Sequence, residues 1–128
     1  MSNPENINCI IRQEMEIFRR VDGYLGAGVY TPEGVMLGGV TQVAGINFEI
    51  AGQLFHDVFL IAENRSIEAG FGITDTIQVN SKKVIIFAKC FREGAIHFHT
   101  ILVVDNDANI GMARLMLQKF SQALKEYF

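Results

Sequence analysis

The stretch GYLGAGVYTPEGVMLGG, residues 23–39, decides between two kinds of fold, because it holds six of the chain's twelve glycines and opens with the spacing GxxGxG. Glycines at such spacing cradle phosphate when a helix N-terminus follows them and receives the anion. Here apolar residues follow Gly28, and Pro32 and Gly34 suit the second and fourth positions of a type I turn. The stretch therefore predicts two short apolar strands around a tight turn, and no nucleotide site.

Composition limits the class of protein. The 128 residues are 49% hydrophobic and 20% charged, which predicts one domain over residues 1–128 with a spare apolar face for a partner. The net charge is −3 and the basic residues are scattered, so the basic patch of a nucleic-acid-binding protein is absent from the sequence.

The beginning of the chain and its cysteines bear on location. MSNPENINC lacks the basic and apolar regions of a signal peptide, and no apolar run approaches the length of a membrane span. We therefore expect a cytoplasmic protein without a membrane partner. Cys9 and Cys90 are far apart in sequence and have no CxxC motif, so we expect two reduced thiols rather than a disulfide or a zinc site.

Helical periodicity appears in three segments. One apolar stripe predicts a helix over residues 5–21, and another predicts a final helix up to about Tyr127, capped by the polar loop at residues 105–109. In residues 47–68 the apolar residues cover about half of the helix circumference, which is more than one contact with a sheet requires. This helix is therefore predicted to touch two surfaces.

Three segments between the last two helices predict strands, at residues 74–80, 84–91 and 95–104. The first alternates apolar and polar residues, as an edge or half-exposed strand does, whereas the other two are apolar on both faces and indicate central strands.

Two histidines raise the question of a metal site. His97 and His99 lie two apart on a predicted strand and so point to the same face. A metal needs a third ligand, and the nearest acidic residues, Glu93 and Asp105, lie toward opposite ends of that strand. We therefore expect two semi-buried, hydrogen-bonded histidines and no metal, no cofactor and no catalytic residue, while His56 is expected alone on the helix surface.

The order of elements resembles the roadblock/dynein light-chain family, a profilin-like group. The resemblance rests on that order, on residues 26–30 and 32–37 as an opening strand, turn and second strand, and on residues 102–104 as a closing strand. It also rests on Ala108-Asn109-Ile110-Gly111 with Arg114, which is similar to the entry of the family's last helix. The implied fold is α/β, a three-layer α/β/α sandwich around a five-stranded antiparallel sheet, in the order helix-strand-strand-helix-strand-strand-strand-helix.

The resemblance implies a non-catalytic homodimer that serves a small Ras-like GTPase as regulator or scaffold. The implied dimer pairs the third strand edge to edge and packs the helices of residues 47–68 together, through Phe55, Phe59, Thr76, Ile77, Gln78 and Val79. We expect the polar side of the helix of residues 47–68 to contact the GTPase. Its residues are Gln53, His56, Asp57, Leu60, Glu63 and Asn64. That side is equally typical of an ordinary solvated helix face. A small-molecule sensor of profilin-like fold is the alternative function, and an enzyme using His97 and His99 is a third.

Overall fold

The computed structural model describes residues 4–40, 42–43 and 45–128. Within those ranges the chain forms helices α1 (Pro4–Glu14), α2 (Phe48–Glu68) and α3 (Ile110–Leu124). The strands are β1 (Tyr24–Tyr30), β2 (Met36–Gly39), β3 (Gln42–Val43), β4 (Ile46–Asn47), β5 (Thr76–Asn80), β6 (Val84–Glu93) and β7 (Ile96–Asp105). Short 3-10 helices follow α1 at Met15–Arg20 and α3 at Lys125–Tyr127.

Five of these strands form an antiparallel sheet in the order β2-β1-β7-β6-β5. One apolar cluster joins α1 and α3 to one face of this sheet, and a second joins α2 to the other face. The predicted three-layer α/β/α architecture is confirmed, and the three helices and the five strands of this sheet follow one another in the predicted order. The small hairpin β3-β4 was not predicted, because strands of two residues are too short to show alternation.

The first helix differs from the prediction, which ran it unbroken to residue 21. Its α-helical part ends at Glu14 and a 3-10 helix continues to Arg20. Buried residues change spacing at the same point, from Ile7 and Ile11 four apart to Met15, Phe18 and Val21 three apart. A 3-10 helix has three residues per turn, so it places both Met15 and Phe18 against the core, and Val21 follows directly at its C-terminal end.

The glycine-rich stretch forms the predicted hairpin. The amide of Gly34 donates to the carbonyl of Thr31 over 2.9 Å, which closes the turn, and Gly34 has a φ of 93°. Gly26 and Gly28 lie inside β1 rather than in a loop. No helix begins where a phosphate would bind, since the chain continues directly into β2.

The glycines serve the packing of α2. A Cβ atom at Gly28 would lie 2.6 Å from the hydroxyl of Tyr30, and one at Gly52 would overlap the ring of Tyr30. The Tyr30 hydroxyl donates to the carbonyl of Phe48 over 2.7 Å, and burial raises the pKa of the phenol. Tyr30 is therefore seated between the strand and the helix in a space that only glycine leaves open.

This seat can be tested with one substitution. We expect Gly52→Ala to lower the free energy of unfolding by about 1–3 kcal/mol, because the new methyl group displaces the buried Tyr30 ring. Gly111→Ala in α3 is the matched control, since its Cβ would approach no neighbour closer than 3.4 Å. Alanine favours a helix by up to about 1 kcal/mol over glycine, so the control should be as stable as the wild type or more stable. Urea denaturation measures both, and equal stabilities would contradict the packing argument.

Candidate functional site

The two edge strands of the sheet, β2 and β5, differ in what lies beside them. At the β2 edge the amide of Gly39 donates to Asn8 Oδ1 over 3.1 Å, and the Arg12 guanidinium donates to the carbonyl of Gly39 over 3.0 Å. Both partners come from α1, which occupies that edge at Gly39. At the other edge, β5 pairs with β6 alone among the described strands. The predicted position of this strand at an edge is confirmed.

The hydrogen bonds that flank β5 show which of its backbone groups face outward. The Cys90 amide donates to the carbonyl of Asp75 over 2.8 Å, and the Ser81 amide donates to the carbonyl of Val84 over 2.9 Å. Opposed residues in an antiparallel pair of strands alternate between pairs that exchange backbone hydrogen bonds and pairs that do not. In this register the backbone groups of Ile77 and Val79 therefore bond to β6. The backbone groups of Thr76, Gln78 and Asn80 therefore point to the open edge.

Helix α2 carries an apolar row on its outer surface. We call it the α2 row, and its side chains are exposed by 54%, 61%, 45% and 60% at Ile50, Leu54, Val58 and Ile61, respectively. At about 100° per residue these four side chains lie within about 80° of the helix circumference. A continuous apolar row of this kind marks an interaction surface more often than a scattered set does.

Within the described ranges, none of the helices is both long enough and apolar enough to cross a membrane.

The α2 row changes the set of helix residues expected in a dimer. Phe59 was predicted there but is only 4% exposed, with its ring 5.2 Å from the ring of His99. Phe55 is half-buried and packs against the cluster beneath α2. The prediction for Phe59 is therefore corrected, because the sequence pattern did not separate the sheet-facing half of the apolar arc from the outer half.

The predicted partner contact also divides into two groups. Gln53, Asp57, Leu60 and Asn64 are exposed and form a second row beside the α2 row, with Leu60 exposed by 47%. His56 is half-buried, with its ring 6.5 Å from that of His99, so it is not alone on the surface as expected. Glu63 is buried and faces the sheet, which removes it from the exposed side of the helix.

Beneath α2 lies a polar cluster that joins the helix to β6 and β7. Both carboxylate oxygens of Glu63 accept hydrogen bonds from the Arg92 guanidinium, over 3.0 and 2.9 Å. The same guanidinium donates from Nε to His97 Nε2 over 3.3 Å, and Cys90 Sγ lies 3.2 Å from that nitrogen. The Arg92 side chain thus compensates the charge of a carboxylate that would otherwise be buried unpaired.

The environment of the cluster favours uncharged side chains. Burial, followed by the nearby charges of His97, His56 and Arg92, lowers the pKa of His99 to about 4. Burial and Arg92 also lower the pKa of His97, and burial raises the pKa of the Cys90 thiol. Both imidazoles and the thiol are therefore neutral near pH 7.

Sequence reasoning did not find Cys90 as a neighbour of these histidines. In the structure β6 and β7 are joined by a two-residue turn, and this register places Cys90 opposite His99 and Arg92 opposite His97. The signal was present in the turn, because Gly94 with a φ of 61° suits the tight hairpin loop. The strands predicted at residues 84–91 and 95–104 put the turn at residues 92–94, whereas it lies at residues 94–95. This difference concealed the pairing of Cys90 with His99.

Comparison with known proteins bears on the fold. No family model and no curated protein matches the sequence. Among solved structures, MglB from Myxococcus xanthus superposes with a TM-score of 0.78 at 14% identity, covering 100% of this chain and 91% of that one. A Roadblock/LC7 domain from Streptomyces avermitilis gives a TM-score of 0.74 at 11% identity, covering 92% and 94%. The chain has the roadblock/LC7 fold.

The topology of this roadblock/LC7 fold is that of profilin. Profilin IA from Acanthamoeba castellanii superposes with a TM-score of 0.53 at 11% identity, covering 94% of this chain and 97% of profilin. These proteins share with the chain the arrangement of helices and strands. The likeness to these proteins concerns the fold alone. The open β5 edge, the α2 row and the polar cluster beneath α2 are described from the residues of this chain.

Proposed function

We propose that the chain is a single roadblock-like domain that acts in the cytoplasm as a non-catalytic homodimeric scaffold or regulator of a small Ras-like GTPase. The observation that carries this proposal is the open β5 edge in a chain whose other sheet edge is occupied by α1 at Gly39. Exposed strand edges invite pairing with another chain unless they are protected. The α2 row supplies apolar surface that a second copy would bury.

A two-fold dimer follows from the register of β5. If two copies pair antiparallel about Gln78, Thr76 of each copy lies opposite Asn80 of the other, and all three outward residues exchange backbone hydrogen bonds. The side chains of Ile77 and Val79 lie on the sheet face covered by α2, since Ile77 pairs with Ala88 of the cluster beneath that helix. The expected backbone contacts of the dimer are therefore Thr76, Gln78 and Asn80. Ile77 and Val79 contribute side chains on the face covered by α2, and the α2 row takes the place of Phe59.

Proline substitutions in β5 test the dimer. We expect Gln78→Pro to give a folded monomer or a weakened dimer, because it removes an amide that faces the open edge. We expect Ile77→Pro to lose much of its fold, because it removes an amide that bonds to β6 and also a partly buried apolar side chain. Each variant serves as the control for the other, since they differ by one position.

Light scattering measures the mass of each variant, and circular dichroism checks the fold. If both variants remain folded dimers with unchanged affinity, β5 is not the dimer edge. If Gln78→Pro unfolds as fully as Ile77→Pro, the inferred alternation of the backbone groups is wrong.

The GTPase contact is proposed for the exposed row of Gln53, Asp57, Leu60 and Asn64. These four residues lie beside the α2 row. Their side chains therefore stay accessible when a second copy packs on the α2 row. Leu60 is the large apolar residue in this polar row and is 47% exposed, so a partner that covered its side chain would gain from removing apolar surface from water. The resemblance to roadblock proteins supports the class of partner, and the net charge of −3 disfavours nucleic acid.

Affinity capture from a lysate of source cells tests this partner. We expect the wild type to retain a protein identified by mass spectrometry as a small Ras-like GTPase, in amounts that differ between added GTP analogue and GDP. Leu60→Asp should lose it. Leu115→Asp in α3 is the matched control, because Leu115 is 44% exposed and Leu60 is 47% exposed. Capture of no such GTPase, or equal capture by Leu60→Asp, would contradict the proposal.

The alternative function, a small-molecule sensor, is favoured by one observation. A groove of about 700 Å³ lies between α3 and the β5 side of the sheet, and its lining includes Arg114, Gln78 and Gln118. Its volume falls in the range of ligand sites, and the Arg114 guanidinium donates to Gln78 Oε1 over 2.6 Å. The open β5 edge and the α2 row have no role in such a sensor, so we favour the scaffold.

A further inference from the structure

Three side chains that commonly bind metal ions converge beneath α2. The Cys90 sulfur and one ring nitrogen each from His97 and His99 all lie within 4.8 Å of one another. The β6-β7 register holds them on one face of the sheet, since Cys90 pairs with His99. Phe59 covers the group from α2, with its ring 5.2 Å from that of His99. The geometry is therefore fixed by backbone pairing and by packing.

The hydrogen bonding of this group is incomplete. His97 Nε2 has one lone pair, yet the Arg92 guanidinium and the Cys90 thiol both lie within hydrogen-bond distance of it. His99 Nε2 is buried and has no hydrogen-bond partner among the described residues, and the same is true of His56 Nδ1. Buried polar atoms without partners are uncommon in folded proteins and call for an explanation.

We propose that Cys90, His97 and His99 form a binding site for a zinc-type transition-metal ion. The ion would accept the lone pair of His99 Nε2 that has no other partner, and it would replace the thiol proton beside His97. This proposal concerns the inner side of α2 and does not depend on the proposed scaffold function.

The donor set suits Zn²⁺ better than Mg²⁺ or Ca²⁺. One thiolate and two imidazoles are soft or borderline ligands, whereas Mg²⁺ and Ca²⁺ prefer oxygen. Bonds of about 2.3 Å to sulfur and about 2.0 Å to nitrogen place tetrahedral ligands about 3.5 Å apart. Cys90 Sγ and His97 Nε2 are 3.2 Å apart already. Small side-chain rotations that draw the His99 nitrogen inward complete a three-ligand set with an open fourth position.

The neighbouring charges allow the ion to bind. Binding deprotonates Cys90, and the thiol proton passes to solvent, so the thiolate cancels one of the two charges of Zn²⁺. The Glu63 carboxylate holds the Arg92 guanidinium through two hydrogen bonds and keeps its charge compensated when the contact from Arg92 to His97 is given up. An ion bound here would tie β6 to β7 under α2 and stabilise the folded chain.

Cobalt titration tests the site, because Co²⁺ replaces Zn²⁺ and absorbs light when bound to thiolate. We expect the chelator-treated wild type to bind one Co²⁺ per chain with a thiolate-to-cobalt absorption band, and Zn²⁺ to abolish that band. Cys90→Ser should lose the band, and His99→Gln, which removes a direct ligand, should weaken binding by more than the roughly tenfold that loss of an outer-shell partner costs. Cys9→Ser is the matched control and should behave as the wild type, because Cys9 is exposed and lies on α1, which packs on the opposite face of the sheet from α2.

A wild-type measurement covers the case in which the variants fail to fold. NMR of the imidazole nitrogens should show that Zn²⁺ shifts His97 and His99 at one equivalent. Absence of the cobalt band in the wild type, an equal band in folded Cys90→Ser, or unshifted His97 and His99 nitrogens would overturn the proposal. Loss of the band in Cys9→Ser would also overturn it, by placing the site elsewhere.

Discussion

The seat of the Tyr30 side chain is the constraint on which the rest of the structure depends. Its ring fills the space that side chains at Gly28 and Gly52 would need, and its hydroxyl bonds to the first residue of α2. This fixes both the distance of α2 from the sheet and its rotation about its own axis. Because the helix is apolar over about half its circumference, a fixed rotation leaves Leu54 and its neighbours in the α2 row outside.

Much of the fold could be predicted because local chemistry determines it. Pro32 and Gly34 specify their turn, Asn109 accepts a hydrogen bond from the amide of Met112 at the start of α3, and alternation in β5 marks an edge strand. The 3-10 helix after α1 was missed, although buried residues there change from a spacing of four to a spacing of three. A helical period fitted to the whole of residues 5–21 does not resolve the change in spacing at Met15.

The candidate site was less predictable because it depends on contacts between elements. An apolar arc on a helix does not show which half meets the sheet, so Phe59 was assigned to the wrong side and Glu63 to the exposed face. Cys90 was not expected to bind a metal because it lies far from Cys9 in sequence and has no CxxC motif, whereas the hairpin places it opposite His99. The exposed positions of Leu60 and Asn64 follow the sequence pattern, since polar faces of amphipathic helices remain outside.

The central claim is that β5 is the edge through which two copies pair, and amide hydrogen exchange resolved by residue tests it most directly. At low concentration the amides of Ile77 and Val79 should be protected and those of Thr76, Gln78 and Asn80 should exchange freely. As the concentration rises through the monomer–dimer transition seen by light scattering, the last three amides should become protected together. Free exchange of these three amides in a fully dimeric sample would contradict the account, because the dimer would then use another surface.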